Sequence, residues 1–319
     1  GVSPALYVAP NRQLADQVIA EAANYGIAVT DDPRDAAFQA GEKIAVINIY
    51  KLFNGRSVFG VGNEGSKIKI GALVIDDAHA CVETVTKQFR ITLSNTHEAY
   101  KAILNVISED LKRQNEARYL DVKDSDPRAV MEVPFWTWHR YQSDILSVLH
   151  EHRKDEDLMF SYPLISELLL QCRCFIGGQK LEIEPPFPAT DLFQAFRTAK
   201  RRIHMTATLS DDSVIVTHFG ADPKGLSHPL VPILSQSLGE RMILLPQELN
   251  PQLTVSDLRQ MLADLAKEQN VVVIVPSAAA AVGWTDAADQ ILVGDDVAPG
   301  VARLRKGHVG LSVMINRYD

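Results

Sequence analysis

Leu73-Val74-Ile75-Asp76-Asp77-Ala78-His79 and Ile203-His204-Met205-Thr206-Ala207-Thr208 decide how this chain is read. The first is an apolar run closed by two carboxylates. The second is a mainly apolar run closed by two threonines around an alanine. Each reads as a strand that stops at polar side chains. In open α/β sheets, ligands bind outside the carboxyl ends of the strands. The strand that stops at Asp76 and Asp77 therefore places two carboxylates at a sheet edge, where a metal–nucleotide complex can sit.

Outward from these runs, strand patterns alternate with helical ones. Ala5–Ala9 reads as a strand, and Leu14, Val18, Ala22 and Tyr25 then recur at helical spacing. Lys43–Ile49, Ala72–Asp76 and Arg202–Ala207 read as further strands. Near-continuous apolar strands alternating with helices indicate a parallel sheet covered on both faces.

Between Cys81 and Thr190 the pattern changes. Tyr100, Ile103, Leu104, Ile107 and Leu111 mark one amphipathic helix, and Tyr141, Ile145, Leu146 and Leu149 another. Leu158–Cys172 reads as a third, with Pro163 in its first turn. This predicts a mostly helical insertion over about 81–190, closed by the extended Pro185-Pro186-Phe187-Pro188. Trp136 and Trp138 flank Thr137. On an extended strand both indoles would share one side, suited to core packing or to stacking on bases.

The polar, Pro- and Gly-containing stretch from Leu209 to Gly239 reads as a linker. Alternation then resumes. Arg241–Leu245, Asn270–Val275, Gln290–Val293 and Val309–Ile315 read as strands. Leu258, Met261, Leu262 and Leu265 mark a helix, and Ala278–Val282 opens another. The expected fold is α/β, with two parallel-sheet domains at 1–215 and 216–319 and the insertion in the first.

Composition sets outer bounds. Hydrophobic residues make up 46% and charged residues 23% of 319, which suits a globular protein. No apolar run approaches the ~20 residues needed to span a membrane, so no membrane association is expected. No secretory signal is visible, and Cys81, Cys172 and Cys174 are too few for a disulfide framework. They read as buried free thiols in a reducing, cytoplasmic setting. The net charge of −8 argues against a protein that wraps a duplex.

In their order, the two opening stretches resemble motifs II and III of superfamily 2 helicases of the DEAD/DEAH-box type, with a DinG/XPD-like look. Ala9-Pro10-Asn11-Arg12-Gln13-Leu14-Ala15-Asp16-Gln17 resembles motif Ia. Val46–Phe53 resembles a DinG/XPD-like segment that approaches nucleic acid. Val271–Pro276 with Ser277 resembles motif IV, and Asn316-Arg317-Tyr318-Asp319 the opening of motif V.

The resemblance implies two RecA-like domains, ATP and Mg²⁺ as cofactors, and a single-stranded nucleic acid as partner, with DNA preferred over RNA. It implies that Asp76 holds Mg²⁺ through water and that Asp77 orients and deprotonates the attacking water. His79 would couple the nucleotide state to Thr206 and Thr208. Asn11, Arg12, Asn48, Lys51 and Ser277 would meet the strand. Each has a plainer reading beside it. Asp77 and Asn11 suit helix caps, and Tyr50 and Phe53 suit a core.

The chain also departs from the family. Asp77 stands where Glu is usual. No Gly-x-x-x-x-Gly-Lys-[Ser/Thr] loop, no motif VI and no cysteine quartet for an iron–sulfur cluster is present. The chain therefore reads as a fragment of an ATP-dependent helicase or translocase, inactive by itself. Two alternatives stand beside this. One is a helicase-derived protein that binds nucleic acid or scaffolds without catalysis. The other is a phosphohydrolase with Asp76 and Asp77 as paired metal ligands.

The helicase reading carries geometric expectations. The strands ending at Asp76 and Thr206 should be parallel neighbours, with His79 close to Thr206 or Thr208. Pro10-Asn11-Arg12 should emerge at the same edge. The insertion should leave from that edge and return to it, and the sheet edge nearest Asp76 should be open.

Overall fold

The structure, a computed structural model, describes residues 2–206, 213–231 and 242–315. It forms two compact units, Gly1–Leu230 and Val231–Asp319. The expected boundary at 215/216 falls inside a helix, Ser213–Phe219, whose Ile215 and Phe219 are buried in the core of the first unit.

Among the described residues of the first unit the strands are, in chain order, β1 (Ala5–Ala9), β2 (Val29–Thr30), β3 (Ile44–Asn48), β4 (Ala72–Ile75), β5 (Ile91–Ser94), β6 (Val130–Glu132), β7 (Arg173–Gly177), β8 (Lys180–Glu184) and β9 (Arg201–His204). Five of them form a parallel sheet in the order β2-β3-β1-β4-β9. Apolar side chains on both faces make this arrangement stable. On one face, Ala9 and Val46 pack with Ala15, Leu14, Val18 and Ile19 of the helix Arg12–Asn24. The other core contains Leu73 and Ile75 together with Cys81, Val82 and Val85 of the helix Ala78–Gln88.

Register fixes which residues reach the carboxyl edge. Ala9 pairs with Asn48, Val8 with Ile75, and Ile75 with His204. Asn11, Asn48, Asp76 and Thr206 all follow strands that point the same way, so they emerge on one edge. β4 is interior, flanked by β1 and β9. The edge strands are β2 and β9, so the open edge is one strand away from Asp76 rather than beside it.

The chain leaves the carboxyl edge after β4, but it enters β9 from the opposite end. There the amides of Lys200 and Arg201 both donate to the Gly71 carbonyl, at 3.0 and 3.2 Å. The expected return to the same edge is thus corrected, because two parallel neighbours require a crossover. An aromatic cluster steers the return. Phe193 and Phe196 each pack edge-on against Phe53 at 5.0 Å between centroids, and Phe219 stacks on Phe53 at 6.1 Å.

The insertion holds the helices Glu98–Gln114, Glu116–Lys123, Phe135–Arg140 and Gln142–Glu151. It also holds an antiparallel sheet, β5-β8-β7-β6, that the helical pattern did not mark. Two local readings are corrected. Leu158–Cys172 is a single turn, Tyr162–Ile165, followed by 3₁₀ turns over Ser166–Gln171. Trp136 and Trp138 lie on a helix instead of a strand. At about 100° per residue, positions i and i+2 face opposite ways. Trp138 is buried and its Nε1 donates to the Leu169 carbonyl at 2.6 Å, while Trp136 is exposed.

The second unit carries β10 (Asn270–Val275), β11 (Gln290–Leu292) and β12 (Gly310–Ile315) in a parallel sheet ordered β10-β12-β11. The helix Val255–Leu265 opens on a capping box in which Thr254 and Asp257 bond reciprocally. Residues 242–245 lie outside any strand and are exposed, which corrects the strand expected there. Their β-forming composition has no partner edge among the described residues, and composition alone does not make a strand. Among the described residues, no helix is long and apolar enough to cross a membrane.

Candidate functional site

The stretch Leu73–His79 folds as a strand, a tight turn and a helix. β4 ends at Ile75, and the Asp76 amide donates to the Val8 carbonyl at 2.8 Å. Asp77 then takes a left-handed backbone at φ 40°, ψ 67°. Non-glycine residues seldom sit there, and Asp tolerates it better than most. The turn lets Asp77 cap the helix Ala78–Gln88, its Oδ1 accepting from the Ala80 amide at 3.4 Å. It also brings the Asp77 amide to within 3.0 Å of Asp76 Oδ1.

Two neighbours hold Asp76 from behind. Tyr7, on β1, lies beside its carboxylate. Burial first, then the neighbouring Asp76 carboxylate, push the phenol's pKa upward, so Tyr7 stays protonated. The Cys81 thiol donates to the Asp76 carbonyl at 3.2 Å. Burial, reinforced by the charges of Asp77 and Asp76, pushes that thiol up as well, so it remains an unreactive S–H.

The ends of β4 and β9 are stitched together beyond their ladder. The Met205 amide donates to the Ile75 carbonyl, and the Ala78 amide donates to the Met205 carbonyl, both at 2.8 Å. This second bond gives one of the orphan amides of the helix start a partner on the neighbouring strand. His79 lies one turn in, and its Nδ1 is 3.0 Å from Thr206 Oγ1. The contact ties the first turn of the helix Ala78–Gln88 to the segment that follows β9. Ala207 and Thr208 lie outside the described residues.

On β9, His204 stacks on Phe219 at 5.8 Å and 21°, and its Nε2 is buried without a hydrogen-bond partner among the described residues. Burial, aided by the Arg202 charge, lowers its pKa to about 4. Arg202 is engaged elsewhere, donating to the Phe219 and Gly220 carbonyls at 2.8 and 3.0 Å.

The residues assigned to nucleic acid are chiefly helix caps. Asn11 Oδ1 accepts from the Leu14 amide at 3.0 Å, and Asn48 Oδ1 from the Lys51 amide at 3.1 Å. Arg12 is 87% exposed, and its Nε is 3.7 Å from Asp16 Oδ2. Lys51 Nζ donates to the Asp31 carbonyl at 3.0 Å. In the first unit these side chains share the carboxyl edge with Asp76, Asp77, His79 and Thr206. Ser277 belongs to the second unit, at the end of β10, where its Oγ caps the helix Ala278–Val282.

Tyr7 and the Met205 carbonyl were not singled out from the sequence. A tyrosine one residue before the buried end of an apolar strand was the available signal for Tyr7. The Met205 contact is made by backbone, which leaves no trace in residue types. For a metal–nucleotide, Asp76 fits as a carboxylate reaching Mg²⁺ through water, at a strand end with its Oδ1 anchored. No Gly-x-x-x-x-Gly-Lys-[Ser/Thr] stretch occurs among the 319 residues.

No family model matches the chain, and no curated protein matches it. Among solved structures, S. tokodaii Xpd4 is similar to 98% of this chain over 71% of its own length, at 15% identity and a TM-score of 0.54. A structure described as XPD apo covers 99% of this chain and 71% of its own, at 12% identity and a TM-score of 0.41. One described as XPD helicase covers 86% and 54%, at 12% identity and a TM-score of 0.36. The likeness to Xpd4 is one of fold, and it extends along nearly the whole chain.

Proposed function

We infer that these residues are part of the core of an ATP-dependent helicase or translocase acting on single-stranded nucleic acid, DNA in preference to RNA. The observation that carries the reading is the pairing of β4 with β9 and the 3.0 Å contact between His79 and Thr206. It ties the helix turn that follows Asp76 and Asp77 to the segment that follows β9. The Xpd4-like fold supports the same reading.

ATP, with Mg²⁺, supplies the phosphoryl transfer that drives such motors. In this chain Asp76 would hold the metal through water, anchored by the Asp77 amide. Asp77 would orient the attacking water. Asn11, Arg12, Asn48, Lys51 and Ser277 would meet the backbone of the strand. The phosphate grip would have to come from outside these 319 residues, so the chain alone should bind single strands weakly and turn over no ATP.

The test is binding of a labelled single-stranded oligonucleotide at two salt concentrations, with ATP hydrolysis followed in parallel. Affinity should fall with salt, and Arg12→Ala and Lys51→Ala should each weaken it by a similar factor on every sequence. Absence of binding at low salt would overturn the reading. Magnesium-dependent hydrolysis that disappears in Asp76→Ala would overturn the expectation of inactivity.

The absence of the phosphate loop favours a second reading, a helicase-derived protein that binds nucleic acid or scaffolds without catalysis. A strong sequence preference in the same assay would favour it.

A further inference from the structure

Among the described residues, one group of side chains lies close enough to share a metal ion, and it is remote in sequence from the motifs. His97 caps the start of the helix Glu98–Gln114, and His152 ends the helix Gln142–Glu151. Asp155 follows in a turn closed by its amide on the His152 carbonyl at 2.9 Å. His97 Nε2 is 3.5 Å, and His152 Nδ1 2.8 Å, from the same Asp155 oxygen. One ligand atom from each residue lies within 4.8 Å of the others. The rings meet edge to face at 5.3 Å. His97 is 14% and His152 24% exposed, while Asp155 is 44% exposed, which leaves an entry path on the carboxylate side.

We propose that His97 Nε2, His152 Nδ1 and an Asp155 oxygen form a binding site for a divalent transition-metal ion of the zinc class. Two imidazoles and a carboxylate suit zinc, whereas Mg²⁺ and Ca²⁺ select oxygen ligands. Around a tetrahedral ion with bonds of about 2.0–2.1 Å, ligand atoms stand roughly 3.3–3.4 Å apart. The 3.5 Å separation already matches, and the 2.8 Å one must open slightly. Glu98 is engaged by Lys101 at 2.7 Å, so water takes the fourth position.

Binding has a definite cost. His97 Nδ1 accepts from the Ala99 amide at 3.1 Å, which places the ring proton on Nε2. Coordination through Nε2 moves that proton to Nδ1 and ends the cap. On His152 the proton moves from Nδ1 to Nε2. Coordination leaves each ring with one proton, on the nitrogen away from the metal. A cap of this kind contributes roughly a factor of five, which a three-ligand site outweighs. Bound metal would clip the start of one insertion helix to the end of another.

The experiment uses the full chain, stripped with chelator and titrated with Zn²⁺ and Co²⁺, with Mg²⁺ as control. One equivalent of Co²⁺ should bind with a four-coordinate spectrum and no sulfur charge-transfer band, and the unfolding midpoint should rise. His97→Asn, which keeps a capping side chain, and Asp155→Asn should each weaken binding by on the order of tenfold or more. His150→Ala, on the same helix as His152, should leave it unchanged. Hydrogen exchange at the Ala99 amide should quicken with metal. Unchanged affinity in both His97→Asn and Asp155→Asn, a sulfur band, or equal binding of Mg²⁺ would overturn the site.

Discussion

Asp77 carries two duties that its substitutions can separate. It occupies a left-handed backbone and caps a helix, and in the proposed motor it also orients water. Asn tolerates the same backbone and caps equally well. Asp77→Asn should therefore shift urea-unfolding stability by no more than about 0.5 kcal/mol. Asp77→Val loses the cap and forces a β-branched residue to positive φ, and should cost about 2–4 kcal/mol. Equal stability of the two variants would show that the turn is not strained. His204 makes a second residue-level prediction. Its folded pKa of about 4 lies below the unfolded value of 6.5, so the unfolded chain binds the proton first. The stabilisation is complete above pH 6.5 and is lost as pH falls toward 4, by up to about 3 kcal/mol. His218, lowered by burial, adds in the same direction. Urea melts between pH 7.5 and 4.5 should show this slope, and His204→Phe should flatten most of it. An unchanged slope would assign the effect elsewhere.

At the level of elements, the strands that stop at polar clusters were legible because both signals coincide there, apolar composition and an abrupt polar end. The insertion was legible only in part. Tyr100, Ile103, Ile107 and Leu111 fall on one stripe, and the helix Glu98–Gln114 buries all four. By contrast, Lys180-Leu181-Glu182-Ile183-Glu184 alternates strictly, and β8 is a strand with Leu181 and Ile183 inside. That period of two was present in the sequence and was overlooked beside the longer helical runs. The tryptophans show the reverse error, a helix read as extended. Their unequal fates are measurable. Trp138→Ala should destabilise by about 3–5 kcal/mol, through a cavity and an unpaired Leu169 carbonyl. Trp136→Ala should stay within about 0.5 kcal/mol. Comparable losses in chemical denaturation would contradict the helix.

For the whole molecule, the charge of −8 is spread over many small local arrangements. Asp257 and Asp264 are held below the usual carboxylate range by hydrogen bonds to Thr254 and to Lys267. Both lie at the surface, where such pairs contribute little stability. The coarse architecture followed from composition and alternation, and the joining of His79 to Thr206 was expected from the resemblance of the two strand ends, with the β4–β9 register now giving it a distance.

The crossover between β4 and β9 has one more consequence, which concerns covalent continuity. The exposed turn around Asp124–Ser125 lies between β5 and β6. A cut there would leave β1 to β5 on one polypeptide and β6 to β9 on the other. The two pieces would still share the β4–β9 ladder of the parallel sheet and the β5–β8 ladder of the antiparallel one. Asp76 and Asp77 would then belong to one chain and Thr206 to the other, yet they would remain neighbours. Co-expression of the two halves should reconstitute one folded assembly that co-purifies through a tag on either half. Separate elution of the halves would mean that the fold depends on its unbroken connection.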